Sequence, residues 1–241
     1  VRPATIEHEL ERHPGLADVL ARRGHPAEVT GVALTGAVTV IAAGVVGIGL
    51  LLAMVHTDTG LARLDAGFAR FGAERAAEAS TDFLRATSLF GGTTGVVLIA
   101  ILVGALEIRR TRTWAVAGFL GLAVGGQFVL SNLIKLFVGR ARPDILPLTG
   151  FSGESFPSGH ATAAAATFMA LALLLGRGRS ARAKAVLVAA AAGIAGAVAA
   201  SRVLLGVHWF TDVLAGLLLG WLWFSVCSLV FGGRLLHFGA P

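Results

Sequence analysis

Six stretches of the chain carry no charged side chain and are predominantly apolar. They run from Val29 to Thr57, Ala86 to Leu106, Thr113 to Ile134, Ser155 to Gly176, Ala185 to Ser201 and Val213 to Gly233. A helix needs about 20 apolar residues to cross a bilayer, within a range of about 17–25. All six are long enough, the fifth by continuing past Arg202 towards Val207. The pattern predicts an all-α integral membrane bundle of six transmembrane helices. The chain contains 32 glycines. In water that number would argue against helices, but in a membrane small residues let helices approach closely.

Two further segments have helical periodicity without the length to span. Between the first two stretches, Leu61, Leu64, Phe68 and Phe71 recur at helical spacing, with Asp58 or Thr59 as a cap. This predicts an extra amphipathic helical segment. Two readings stay open: a helix lying on the outer membrane face, or a connecting helix packed on the bundle. Ahead of the first span, Ile6 and Leu10 precede Pro14, and Leu16, Val19 and Leu20 follow it before Gly24. That order predicts two short helical pieces broken at the proline. The expected organisation is an N-terminal cytoplasmic amphipathic segment over 1–28, one membrane domain over 29–233, and a short tail over 234–241. The first apolar run exceeds the about 7–15 residues of a signal-peptide core, so it is expected to be a retained span.

Charge sets the orientation. Only 14% of residues are charged, against about 25% in soluble domains. The formal charge of +6 does not point to nucleic acid, because the basic residues sit in short clusters between apolar runs. An even number of spans puts both termini on one side. That side carries twelve of the 20 Lys and Arg residues, including Arg109, Arg110, Arg112, Arg177, Arg179, Arg182 and Lys184 in short loops. The positive-inside rule makes it cytoplasmic. A composition rich in Ala, Gly and Arg points to a high-GC bacterium, and hence to its plasma (inner) membrane. The single cysteine, Cys227, allows no intrachain disulfide and no multi-cysteine zinc site. It reads as a small core or lipid-facing residue.

Ionisable groups at span edges are expensive and so are candidates for function. Here they converge. Lys135, Arg140 and Arg142 follow span three, Ser158, Gly159 and His160 open span four, Ser201 and Arg202 end span five, and His208 and Asp212 open span six. The topology brings all four places to the extracytoplasmic face. Lys135, Arg142 and Arg202 suit an oxyanion. Pro157-Ser158-Gly159-His160 reads as a turn whose helix N-terminus points at an anion. His208 and Asp212 are spaced i, i+4, on one helical face. The carboxylate can then fix the imidazole tautomer and leave Nε2 free to attack. His160 can protonate a leaving alkoxide.

The pattern Lys135-x6-Arg142-Pro143, Pro157-Ser158-Gly159-His160 and Ser201-Arg202-x5-His208-x3-Asp212 resembles the three-part signature of the type 2 phosphatidic acid phosphatase superfamily, with no departure at a signature position. The resemblance implies that His208 forms a phosphohistidine, Asp212 orients it, and His160 serves as acid and then base. It implies that Lys135, Arg142, Arg202, Ser158 and the Gly159 backbone hold the phosphate, and that no metal or other cofactor is needed. Ser201 carries over only as an accessory contact. Arg140 lies between signature positions, with the lipid headgroup as one partner. The expected partners are the bilayer and a lipid phosphate: phosphatidic acid, phosphatidylglycerol phosphate, or a polyprenyl phosphate or pyrophosphate. The soluble haloperoxidases of the same superfamily do not fit six spans. Two rivals use the same residues without turnover: a protein that binds or translocates lipid phosphate, and a membrane scaffold glued by polar contacts.

Overall fold

The computed structural model describes residues 26–236 and, among these, contains helices and no strand. The predicted break at Pro14, most of the segment 1–28 and the end of the tail lie outside the described residues. The helices are α1 (Pro26–Thr57), a 3-10 turn (Gly60–Leu64), α2 (Asp65–Glu74), α3 (Glu78–Leu89), α4 (Thr93–Thr111), α5 (Ala115–Gly121), a π-helical turn (Leu122–Gly126), α6 (Gln127–Val138), α7 (Gly159–Gly176), α8 (Ala181–Leu204) and α9 (Phe210–Leu236). The chain divides into a unit of residues 1–39, described only as the first turns of α1, and a larger unit of residues 40–241.

Five stretches are long and apolar enough to cross a membrane: Leu34–Thr57, Ala115–Val138, Gly159–Gly176, Ala181–Leu204 and Phe210–Phe231. The second expected span differs from prediction. Residues 86–106 are not one helix, because the chain breaks after Leu89 and restarts at Thr93, with α3 and α4 bent by 50°. The glycines explain the break. A Cβ at Gly91 would stand 2.7 Å from the His160 carbonyl oxygen, and one at Gly95 would stand 2.0 Å from that of Leu89. Only chain without side chains folds back there. Counting the bent pair as one gives six spans.

Helix α7 is the hub, with 72% of its residues buried against 11% for the span in α1. Its alanine-rich faces pack with Phe119 of α5, Val198 of α8 and Cys227 of α9 in the main core. Close approach needs glycine on the partner. On α9, a Cβ at Gly216 would lie 2.6 Å from the Ser158 carbonyl oxygen, and one at Gly220 2.6 Å from that of Thr162. The π-helical turn adds a residue to the span formed by α5 and α6 and directly precedes Gln127.

The segment between the first two spans is helical, and one side of it packs on the bundle. Ala62, Asp65, Ala69 and Gly72 turn inward, while Leu61, Leu64, Phe68 and Phe71 stay exposed. A Cβ at Gly72 would meet the Leu204 carbonyl oxygen at 2.7 Å, so α2 lies tight against the end of α8. The small residues face the bundle, while the large apolar row stays partly exposed, with Phe68 stacked on Phe210 at 4.6 Å and Arg75 over the Phe71 ring at 4.0 Å. Thr59 precedes the 3-10 turn but makes no side-chain cap.

Candidate active site

The ends of α6 and α8 and the starts of α7 and α9 meet at one end of the bundle. Lys135 occupies the last turn of α6, which Gly139 closes at φ +59°, its N–H donating to the Lys135 carbonyl at 3.0 Å. The chain then leaves as an irregular loop that returns at Ser158. Arg142 is gripped by this loop. Its Nε donates to the Gly153 carbonyl (2.8 Å), Nη2 to those of Ser152 (2.9 Å) and Glu154 (3.1 Å), and Nη1 to that of Val207 (2.7 Å). Lys135 Nζ donates to the Glu154 carbonyl as well. A collar of backbone oxygens thus fixes two cations side by side.

Ser158 precedes α7, and Gly159 and His160 are its first two residues. Gly91 and Gly92 press on this start: a Cβ at Gly92 would sit 3.6 Å from His160 Nε2. Arg202, in the last turn of α8, is 5% exposed, and its Nη1 donates to Ser88 Oγ at 2.6 Å. Arg202 Nε and Ser158 Oγ are buried without a hydrogen-bond partner among the described residues. Buried polar atoms are rarely left so, and the Arg202 guanidinium is one that an oxyanion would satisfy.

His208 is 2% exposed. It does not share a helical face with Asp212, as the i, i+4 spacing suggested. It lies in the turn between α8 and α9, and only Asp212 is on the helix. Gly206, at φ +71°, reverses the chain there, with the Leu146 carbonyl 2.4 Å from where a Cβ would be. Nε2 of His208 stands 3.1 Å from Arg142 Nη1. A guanidinium only donates, so Nε2 holds a lone pair and the ring proton is on Nδ1, 3.5 Å from Asp212 Oδ2. Burial pushes His208 down to about 4, the hydrogen bond and charge of Asp212 acting the other way. The ring is therefore neutral at neutral pH. Burial likewise lowers Arg142 from its ordinary value, opposed by Asp212 and Glu154.

Asp212 is fully buried. Its Oδ2 accepts the Trp209 N–H (2.9 Å) and the Ser155 hydroxyl, and its Oδ1 accepts Arg140 Nη1 at 2.5 Å. Arg140 Nη2 donates to Asp65 Oδ2 at 2.7 Å, and Asp65 also accepts the backbone N–H (2.9 Å) and hydroxyl (2.7 Å) of Thr211.

A cavity of about 440 Å³ opens between these elements, lined by Lys135, Arg142, Gly159, His160, Arg202 and His208 together with residues of α4 and α6. Four of the expected positions do not line it. Ser158 and Asp212 are buried behind it, and Arg140 is turned inward to two carboxylates rather than outward to a headgroup. Ser201 bonds back to the Val198 carbonyl of its own helix at 2.7 Å. Asp65, Ser88 and Ser155 were not singled out from sequence. Among the described residues no group of three or more His, Cys, Asp or Glu side chains converges as a metal site requires.

The family model described as the PAP2 superfamily matches residues 116–235. A decaprenylphosphoryl-5-phosphoribose phosphatase of Mycobacterium tuberculosis is 39% identical over 145 residues, which cover 57% of this chain and 72% of that protein. The chain belongs to the PAP2 superfamily. A phosphatidylglycerophosphatase B of Bacillus subtilis is 35% identical to this PAP2 chain over 137 residues, 56% of it and 66% of the relative. The chain thus spans about two thirds of that relative's length. The crystal structure of a transmembrane PAP2-type phosphatidylglycerolphosphate phosphatase from Bacillus subtilis superposes with a TM-score of 0.75 at 27% identity, covering 83% of this chain and 98% of that one. Its candidate spans and its similarity to these phosphatases make the PAP2 chain a multi-pass membrane protein and an enzyme of the phosphatase class.

Proposed function

We propose that this enzyme removes phosphate from a lipid phosphate by way of a phosphohistidine on His208. The observation that carries the reading is the pairing, in one cavity, of a neutral His208, whose Nε2 lone pair faces Arg142 Nη1 at 3.1 Å, with His160 and three cations. Nε2 of His208 attacks phosphorus, and the bond from phosphorus to the lipid oxygen breaks. The departing oxygen takes a proton from His160. His160 then takes a proton from water, the water oxygen attacks phosphorus, and the P–N bond breaks to release phosphate and restore His208. Lys135, Arg142 and Arg202 neutralise the oxygens throughout, with the Gly159 N–H beside them. Asp212 acts through His208 by holding its Nδ1–H.

With α3 and α4 read as the bent second of six spans, the basic short loops favour both termini in the cytoplasm and this end of the bundle on the extracytoplasmic face of a bacterial plasma membrane. The site then opens at the level of lipid headgroups, where a substrate can react while its tail stays in the bilayer. Purified enzyme supplied with ³²P-labelled phosphatidic acid should yield an acid-labile, base-stable phosphoenzyme. The same label on His208→Asn, or undiminished turnover by that variant, rules the mechanism out.

A further inference from the structure

The cavity extends beyond the phosphate cradle. Gln127, Ser131 and Lys135 are spaced by four and form one row of α6, and all three line it, with Asn132 beside them and Thr93 of α4. Gln127 and Ser131 are 3% and 2% exposed, within a stretch long enough to span the membrane. Polar side chains at such depth are costly unless they are used. Each is pinned by one bond to its own helix: Gln127 Nε2 to the Val124 carbonyl (3.1 Å), Ser131 Oγ and Asn132 Nδ2 to that of Phe128 (3.2 and 2.7 Å). The two amide oxygens and the second N–H of each amide make no hydrogen bond among the described residues. The π-helical turn ends directly before Gln127, a distortion frequent at functional sites.

Charge decides what this row can take. The cations lining the cavity are Lys135, Arg142 and Arg202, and Arg140 is committed to Asp65 and Asp212. A phosphate monoester carries close to two negative charges at neutral pH, which these three cations already meet. A second phosphate next to the first would face neutral amides and a hydroxyl, whereas a carbon unit bearing free hydroxyls would find both donors and acceptors. We infer that Gln127, Ser131 and Asn132 form a leaving-group subsite for a polyol or sugar unit bonded directly to the departing oxygen. The enzyme accordingly favours lipid phosphomonoesters of hydroxylated groups over polyprenyl pyrophosphates. This rests on the phosphatase reading above and narrows its substrate class.

The test compares kcat/KM of the full chain in mixed micelles for phosphatidylglycerol phosphate, whose reacting glycerol carries a free hydroxyl, for phosphatidic acid, whose glycerol does not, and for undecaprenyl pyrophosphate. The first should exceed each of the others by about tenfold, the effect of one or two well-formed hydrogen bonds. Gln127→Leu should lower the ratio of the first to the second by about the same factor. Asn132→Leu, at an exposed position, gives the same ratio test without disturbing the π-helical turn. Robust release with the pyrophosphate preferred, or ratios unchanged in both variants, overturns the subsite alone. Release from none of the three lipids overturns the subsite and the phosphatase reading together.

Discussion

Asp65 holds Arg140 at 2.7 Å across 75 positions of sequence, in a contact where the carboxylate is 5% and the guanidinium 16% exposed. The other Arg140 nitrogen bonds Asp212 at 2.5 Å. The segment between the first two spans is thereby wired to the carboxylate behind His208. Arg140 has two anionic partners and no place in the cavity, so it acts through Asp212 by fixing where that carboxylate stands. Removing the Asp65 charge leaves Arg140 held only through Nη1, by Asp212 and Thr211, and so loosens it. Asp65→Asn should reduce kcat by about ten- to a hundredfold, the loss expected from small misplacement of a reacting group, with KM little changed. Arg140→Gln should do the same, and the double variant should lose no more than either one, because the two form one linkage. Steady-state kinetics on phosphatidic acid check this, and additive losses would separate the two residues.

The candidate site was legible in sequence because its pieces are local: Lys135 to Pro143, Pro157 to His160 and Ser201 to Asp212 are short spacings, and the fold brings them to one end of the bundle. The spans were legible because lipid demands long apolar runs. Asp65 was not, for a physical reason. The eye follows the large apolar row of Leu61, Leu64, Phe68 and Phe71, yet it is the small residues on the opposite side of α2 that pack inward and carry the carboxylate with them. The row Ala62, Asp65, Ala69, Gly72 was the available signal. The break after Leu89 was hidden because Gly91 and Gly92 carry no charge, and its cause is a contact with His160 about 70 residues away. The i, i+4 reading of His208 and Asp212 named two side chains that do come together, 3.5 Å apart, but not on one helix, since Gly206 turns the chain before the helix begins.

Helix spacing around the active site depends on glycine at one named contact. Gly216→Ala would place a methyl 2.6 Å from the Ser158 carbonyl oxygen and 3.0 Å from Ala161 Cβ. Neither neighbour is a flexible chain end, so α7 and α9 must part. The expected cost is about 1–3 kcal/mol, read as a lowered thermal midpoint in detergent, together with reduced turnover because Ser158, Gly159 and His160 move with α7. Gly193→Ala on α8, where a Cβ meets nothing within 4 Å, is the control and should leave the midpoint unchanged or slightly raised.

Burial holds His208 near 4 rather than at the ordinary 6.5. The proposed nucleophile is therefore expected to be competent above about pH 4 and to lose its lone pair as pH falls through that value. Between 6.5 and 4 the unfolded chain takes up this proton and the folded one does not, so this group lowers stability as pH drops across that window. With ¹³C-labelled histidine, the ring resonance that disappears in His208→Asn should titrate with a midpoint near 4. A midpoint at or above 6 would contradict the neutral, desolvated environment described here.

Orthovanadate, which takes up the geometry of a phosphoryl group in transfer, should bind the cradle without any lipid. Ligand that binds only the folded state stabilises it, by about 2.7 kcal/mol at a hundred times its dissociation constant. Wild-type enzyme should show a higher thermal midpoint with vanadate. Arg202→Ala should show little or no rise, because it removes a lining cation whose Nε is otherwise buried without a partner. Ser88→Ala is the more discriminating variant. Ser88 does not line the cavity but holds Arg202 Nη1 at 2.6 Å, so it should weaken vanadate protection while leaving the cation in place. Equal protection of all three proteins would mean that Arg202 serves the packing of α8 and takes no part in holding the anion.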